Sequence, residues 1–196
     1  MSTTVSFAEI FIIGLQAVVW VALFAAALFG VRWADLDALK AWEASATLIF
    51  LGLTYTLGLL ADRLADALFS PLDHRIRPST IPDKEAPVWR MRLYIITQDN
   101  GMTKFVEFAR SRIRIVRATA FNLLVFALAF VVYRIARGLA IFNAATLGGL
   151  ALALLGIALS FYAWRRMTKA YYKRLSQAYS VDAAQANGEL PPMNPE

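Results

Sequence analysis

Apolar residues along this chain fall into four long runs set apart by charged stretches, and the lengths of the runs predict its main elements. Residues 10–31, 44–61 and 139–163 contain no charged side chain, and residues 115–133 contain one, Arg117. A hydrocarbon core about 30 Å thick takes about 20 helical residues to cross, so each run is long enough for one transmembrane helix. The segment before residue 10 has no Lys or Arg, only Glu9. A secretory signal needs a basic start and an apolar stretch of about 7–15 residues, so the first run reads as a retained span.

Outside the runs, the period of the pattern predicts the remaining elements. Residues 62–69 keep a helical spacing with Leu64, Ala65, Leu68 and Phe69 apolar, so the second helix continues past the membrane until Pro71 ends it. Residues 70–87 hold Pro71, Pro78, Pro82 and Pro87 and read as irregular. The period then changes to two: Trp89, Met91, Leu93 and Ile95 alternate with Arg90, Arg92, Tyr94 and Ile96, a strand signature over 88–97. Asp99, Asn100 and Gly101 come next as a turn signal. A single strand has no ladder partner within the chain. The segment is therefore either a strand completed by a second copy or another protein, through Trp89, Met91, Leu93 and Ile95, or an extended loop lying on the helix ends. From about Met102 a helical pattern runs to Arg137 without Pro or Gly, about 50 Å at 1.5 Å per residue. Beyond the fourth run, residues 165–179 continue as helix with Tyr171, Tyr172, Leu175 and Tyr179 among the cations. Residues 181–196 have no apolar period and read as a disordered tail.

The expected fold class is thus an all-α membrane protein of four transmembrane helices. Residues 1–69 form a first transmembrane hairpin, 70–101 a loop, 102–180 a second hairpin and 181–196 a tail. Charge supplies the orientation. Eleven of the 20 Lys and Arg lie from Arg63 to Arg117 and five come after the fourth run, against two in each hairpin turn. The positive-inside rule puts the middle loop and both termini in the cytoplasm, with helices two to four extending into it. Trp33 and Trp42 fall at the outer interface, Tyr162 and Trp164 at the inner one. Trp20, mid-span, reads as packed against another helix.

Composition fits this reading and narrows the chemistry. The chain is 59% hydrophobic, where a soluble domain has roughly 45–50%. The 196 residues contain no Cys, which excludes thiolate catalysis and cysteine metal sites. The lone His74 lies in a loop with no companions for a metal site. No phosphate-binding loop, HExxH or GxSxG pattern occurs, and neither a cofactor nor a metal is expected. A pI near 9.8 is accounted for by spans that end in cations and by anionic phospholipid headgroups. A nucleotide or nucleic acid is the less favoured partner.

The most informative polar residues cluster near the inner boundary. Tyr55, Asp62 and Asp66 are spaced along one stripe of helix two, and Arg110, Arg114 and Arg117 along one face of the long helix after it. Charges at that depth are costly unless paired, so an ionic seam between the two helices is expected, fixing register or acting as a gate. Asn122, one turn deeper, is placed to hydrogen-bond across helices. In the fourth run Gly149, Ala153 and Gly156 permit close helix packing, within the bundle or between copies. The polar positions Gln16, Thr47, Thr54, Asn122, Asn143 and Thr146 are few and scattered for an aqueous pore.

The layout resembles the small multi-span membrane subunits of bacterial anti-phage defence systems. The resemblance covers the span count, the basic loop and the lack of catalytic residues. It implies a sensor of membrane disturbance, or a membrane effector, acting beside a cytosolic partner, and carries over no functional residue. The function expected is a non-enzymatic inner-membrane subunit that forms homo-oligomers and anchors or signals to a cytosolic protein. The alternative is an oligomeric effector or channel gated by the charge seam.

Overall fold

The computed structural model of the chain describes residues 3–30, 43–81, 88–97 and 101–186. They form five helices: α1 (Thr3–Phe29), α2 (Glu43–Ile76), α3 (Val88–Thr97), α4 (Gly101–Ala136) and α5 (Ala144–Ala186). All but α3 are long and apolar enough to cross a membrane. The anchors Trp33 and Trp42 and the turn residues Asp99 and Asn100 lie outside the described residues.

The helices run up and down in chain order. Gly14 of α1 meets Thr54 and Gly58 of α2, Ile13 meets Asn122 of α4, and Gly156 of α5 meets Leu123 of α4. Helix α1 packs on both α2 and α4, and α5 packs along α4, but α1 and α5 do not meet. Because α2, α4 and α5 have 34, 36 and 43 residues, they reach roughly 50–65 Å, well beyond a hydrocarbon core. The excess lies at one end, where the start of α1, the end of α2, the start of α4 and the second half of α5 come together with α3. The opposite end is a tight α4–α5 turn. Gly138, at φ 61°, donates to the Ile135 carbonyl and Leu139 to that of Arg134, the paired bonds that close a helix through a left-handed residue. The Asn143 side chain then accepts from the Thr146 N–H and caps α5.

The helices meet in two ways. Between α1 and α2, backbones touch: a Cβ on Gly14 would stand 1.8 Å from the Thr54 carbonyl oxygen, and one on Gly58 2.0 Å from that of Ile10. Ala17, Ala61, Ala65 and Ala118 continue this small-residue seam toward α4. At the overhanging end, by contrast, large side chains form the core: Phe69, Met91, Ile95, Trp164, Tyr171, Tyr172 and Leu175 are buried together. Only 11–22% of the most apolar window of each spanning helix is buried, which leaves the outer faces to lipid.

Three expectations are corrected. Residues 88–97 are helix α3, not a strand or a loop. A helix pairs its own backbone, whereas a strand here has no ladder partner, and Val88, Met91 and Ile95 fall on one helical face, all buried. A period of two and a helical period share the i, i+4 pair Met91 and Ile95, which makes the pattern ambiguous. Thr103 donates to the Ile95 carbonyl at 3.1 Å and closes the end of α3. Pro71 does not end α2, which continues to Ile76. Pro71 is exposed, and burial of Phe69 and Ile76 holds the helix on either side of it. A turn comes next, in which Ser79 and Thr80 cap the Ile76 carbonyl and Ile81 joins the core. Residues 181–186, expected in the tail, continue α5 to Ala186; the rest of the expected tail lies outside the described residues.

Candidate functional site

The overhanging end contains a half-open cavity of about 480 Å³ to which every helix contributes. On α2, Asp62, Asp66, Phe69 and Asp73 recur at spacings of four, three and four, which puts them on one stripe. On α4, Arg110, Arg114 and Arg117 recur at spacings of four and three with Ser111 beside them, and on α5 Trp164, Thr168 and Tyr171 recur likewise. Glu9 enters from α1 and Arg92 from α3.

The expected ionic seam is present, with one member added and one standing apart. Asp62 is buried and takes two guanidiniums: Arg117 at 3.3 Å and Arg114 at 3.6 Å. Arg117 also donates to Asp66, on the exposed side. Arg114 reaches across to Glu9 at 3.4 Å, and Ser111 donates to the same carboxylate. Three helices are therefore tied by a chain of alternating charge, Asp66–Arg117–Asp62–Arg114–Glu9. Glu9 is the member that spacing does not predict. It is 3% exposed, the most buried carboxylate of the described chain, and its signal is that it is the one charge just ahead of an otherwise neutral span. Arg110 is exposed at the mouth of the cavity and takes no part in the chain of pairs. Tyr55 is not in the cavity; it stacks on Phe7 with ring centres 5.3 Å apart. Below the seam, Tyr172 donates to Asp73 at 2.7 Å, tying α5 to α2.

Deeper in the span Gln16, Trp20, Thr119 and Asn122 satisfy one another. Asn122 donates to the Ile13 carbonyl and to Gln16, accepts from the Trp20 indole N–H at 3.0 Å, and Gln16 also meets Thr119. These bonds link α1 to α4, as expected for Asn122 and Trp20. Gly149, Ala153 and Gly156 face α4: the first lies against Phe130 and the last against Leu123, and Ala153 is buried. That stripe packs within the bundle. Trp164, expected at the lipid interface, is instead 2% exposed and stands edge-on to Phe69 at 4.8 Å, while Tyr162 remains exposed.

The four residues expected to meet a partner divide by face. Met91 and Ile95 are fully buried and hold α3 in place; Trp89 and Leu93 are 61% and 55% exposed. With Ile96 they form an i, i+4, i+7 stripe on the outer face of α3. Arg90 lies over the Trp89 ring and Arg92 over that of Tyr171. No protein-family model, curated protein or solved structure matches the chain.

Proposed function

We propose that this chain is a non-catalytic inner-membrane subunit that docks a cytosolic protein on its overhanging end. The observation that carries the reading is the outer face of α3, where Trp89, Leu93 and Ile96 are exposed side by side on a helix pinned from behind. Helix α3 sits against α5 near Tyr171, whose ring lies under Arg92 at 5.4 Å. Tyr171 and Leu175 are 8 and 12 residues beyond Ala163, the last residue of the fourth apolar run. That is roughly 12–18 Å below the hydrocarbon, past a headgroup layer of about 5–8 Å. An apolar stripe at that depth faces water unless protein covers it. The lysine and arginine distribution supports a cytoplasmic location for this end and for both termini.

In this reading the ionic chain fixes the register of α1, α2 and α4 beneath the docking helix. The layout shared with defence-system membrane subunits extends the proposal to relaying a membrane disturbance to the docked protein. A gated channel is less well supported, because the mid-span polar groups Gln16, Trp20, Thr119 and Asn122 bond laterally to one another.

The test is extraction in mild detergent from the native membrane, comparing the wild type with Leu93→Asp. A stoichiometric soluble companion that is lost in the variant, with thermal stability unchanged, is the expected result. A homo-oligomer with no companion in either sample, conducting ions in bilayers, would overturn it. Ile95→Asp serves as the contrast, since it unseats α3 and lowers stability as well.

A further inference from the structure

Among the described residues, six buried side-chain polar atoms lack a protein hydrogen-bond partner, and four of them belong to residues that line the cavity: Arg92 Nε, Arg117 Nε, Thr168 Oγ1 and Tyr171 Oη. The other two, on Thr54 and Arg134, lie elsewhere. Buried polar groups are ordinarily satisfied, so the concentration of orphans at one place marks a site whose complement is missing from the protein itself. Thr168 and Tyr171 are 2% and 4% exposed, so neither hydroxyl is served by bulk water.

All four orphans are able to donate, and the two Nε–H groups do nothing else. The acceptors nearby are engaged: Glu9 by Ser111 and Arg114, Asp62 by Arg114 and Arg117, Asp66 by Arg117, and Asp73 by Tyr172; Glu107, the fifth carboxylate on the lining, is not free either. Carboxylates and guanidiniums balance around the cavity, so its net field does not select a ligand; the unused valences do. They call for an anion with several acceptor oxygens. Arg110 stands exposed at the mouth to complete its charge.

We propose that the cavity binds a phosphate-bearing group, held by Arg92, Thr168 and Tyr171 with Arg110 over the entrance. Planar guanidiniums and hydroxyls around one cavity suit a phosphate, whose oxygens accept from several donors at once. Trp164 and Arg117 put one wall of the cavity at the inner end of the spans, and Arg92 and Tyr171 put the other below it, so the cavity is open to either side of the headgroup layer. The same chemistry is offered by a lipid headgroup and by a soluble phosphate compound. The inference stands apart from the docking of a protein on α3, which uses a different face.

The test uses the full chain purified in neutral detergent, with thermal unfolding followed against dioctanoyl phosphatidylglycerol, inorganic phosphate or dioctanoylglycerol at constant ionic strength. The expected result is a saturable rise in Tm with a phosphate-bearing probe and none with dioctanoylglycerol. Tyr171→Phe removes only the orphan hydroxyl, and Arg110→Gln an exposed charge, so both variants fold. Each raises the half-saturating concentration about tenfold, the loss of one hydrogen bond to a charged acceptor. A rise with the lipid that inorganic phosphate does not compete away assigns a headgroup; competition assigns a soluble phosphate compound. No saturable rise with either probe, or wild-type affinity in both variants, overturns the site and leaves a hydrated cavity only.

Discussion

Helices α1 and α2 meet over Gly14 and Gly58 with backbone pressed on backbone, whereas about one turn nearer the overhanging end they meet, with α4, around Glu9, Asp62, Arg114 and Arg117. The two contacts answer two solvents. Within lipid, burying an apolar side chain between helices gains little, because the tails outside are just as apolar, and close approach of small residues becomes the main source of cohesion. Beyond the lipid, water returns and so does the hydrophobic effect. There the core is built of Trp164, Met91, Ile95 and Leu175, each worth about 1.5–3 kcal/mol when buried. The ionic chain sits between these regimes, at a depth where charges are tolerated only when paired.

The largest effect is expected where packing is tightest. Gly58→Leu puts side-chain atoms where the Ile10 carbonyl already stands, and neither backbone has a flexible end that can give way. The α1–α2 crossing must open, at a loss above the roughly 1–3 kcal/mol of an overpacked core. Thermal unfolding in dodecyl maltoside measures it. Gly148→Ala is the contrast, since a Cβ there meets nothing within 4 Å, and it gains up to about 1 kcal/mol of helix propensity. Equal effects at the two glycines would remove the claim that contact, and not glycine content, holds the span together.

A smaller loss is expected from the ionic chain. Asp62→Asn leaves Arg114 with Glu9 and Arg117 with Asp66, so neither guanidinium is stranded. The expected cost is about 2–3 kcal/mol, below the roughly 3–5 kcal/mol of a buried pair broken outright. Asp66, whose side chain is 57% exposed, is the internal standard: Asp66→Asn costs less than about 1 kcal/mol. The same unfolding assay, repeated at high salt, sharpens the contrast, because only the exposed pair is screened. If the two aspartates proved interchangeable, burial of the seam would carry no energetic weight.

Legibility in the sequence divides along the same line. The four spans are legible because hydrocarbon thickness fixes run length, and Asp62, Arg114 and Arg117 because charges near a span have few ways to be stable. Glu9 is not, because a single carboxylate ahead of a span shows no spacing. Helix α3 reads as a strand or an extended loop because Met91 and Ile95 satisfy both periods, and the deciding contacts are with Tyr171 and Leu175, some 80 residues away in sequence. Gly14 and Gly58 look ordinary in an apolar run; only the crossing of α1 and α2 gives them their role. The cavity is least legible, since it takes five helices to enclose and its orphan hydroxyls lie in a stretch that reads only as an amphipathic extension.

Of the three kinds of contact, the smallest effect is expected from breaking the hydrogen-bond hub at mid-span. Asn122→Leu removes the donor to Ile13 and Gln16 and the acceptor of the Trp20 indole, and it leaves that N–H within an apolar seam. In water-soluble cores such a loss is severe. In a membrane the unfolded helices also find partners for their polar groups, and measured contributions average about 0.6 kcal/mol and reach about 1.7. Gln16 keeps Thr119 as an alternative, so about 1 kcal/mol is expected, below Asp62→Asn and far below Gly58→Leu. Trp fluorescence of the variant, read with its unfolding curve, tests both the link to Trp20 and the size of the loss. A cost above about 3 kcal/mol would reverse the comparison, making polar contacts, and not the glycine crossing, the chief tie within the lipid.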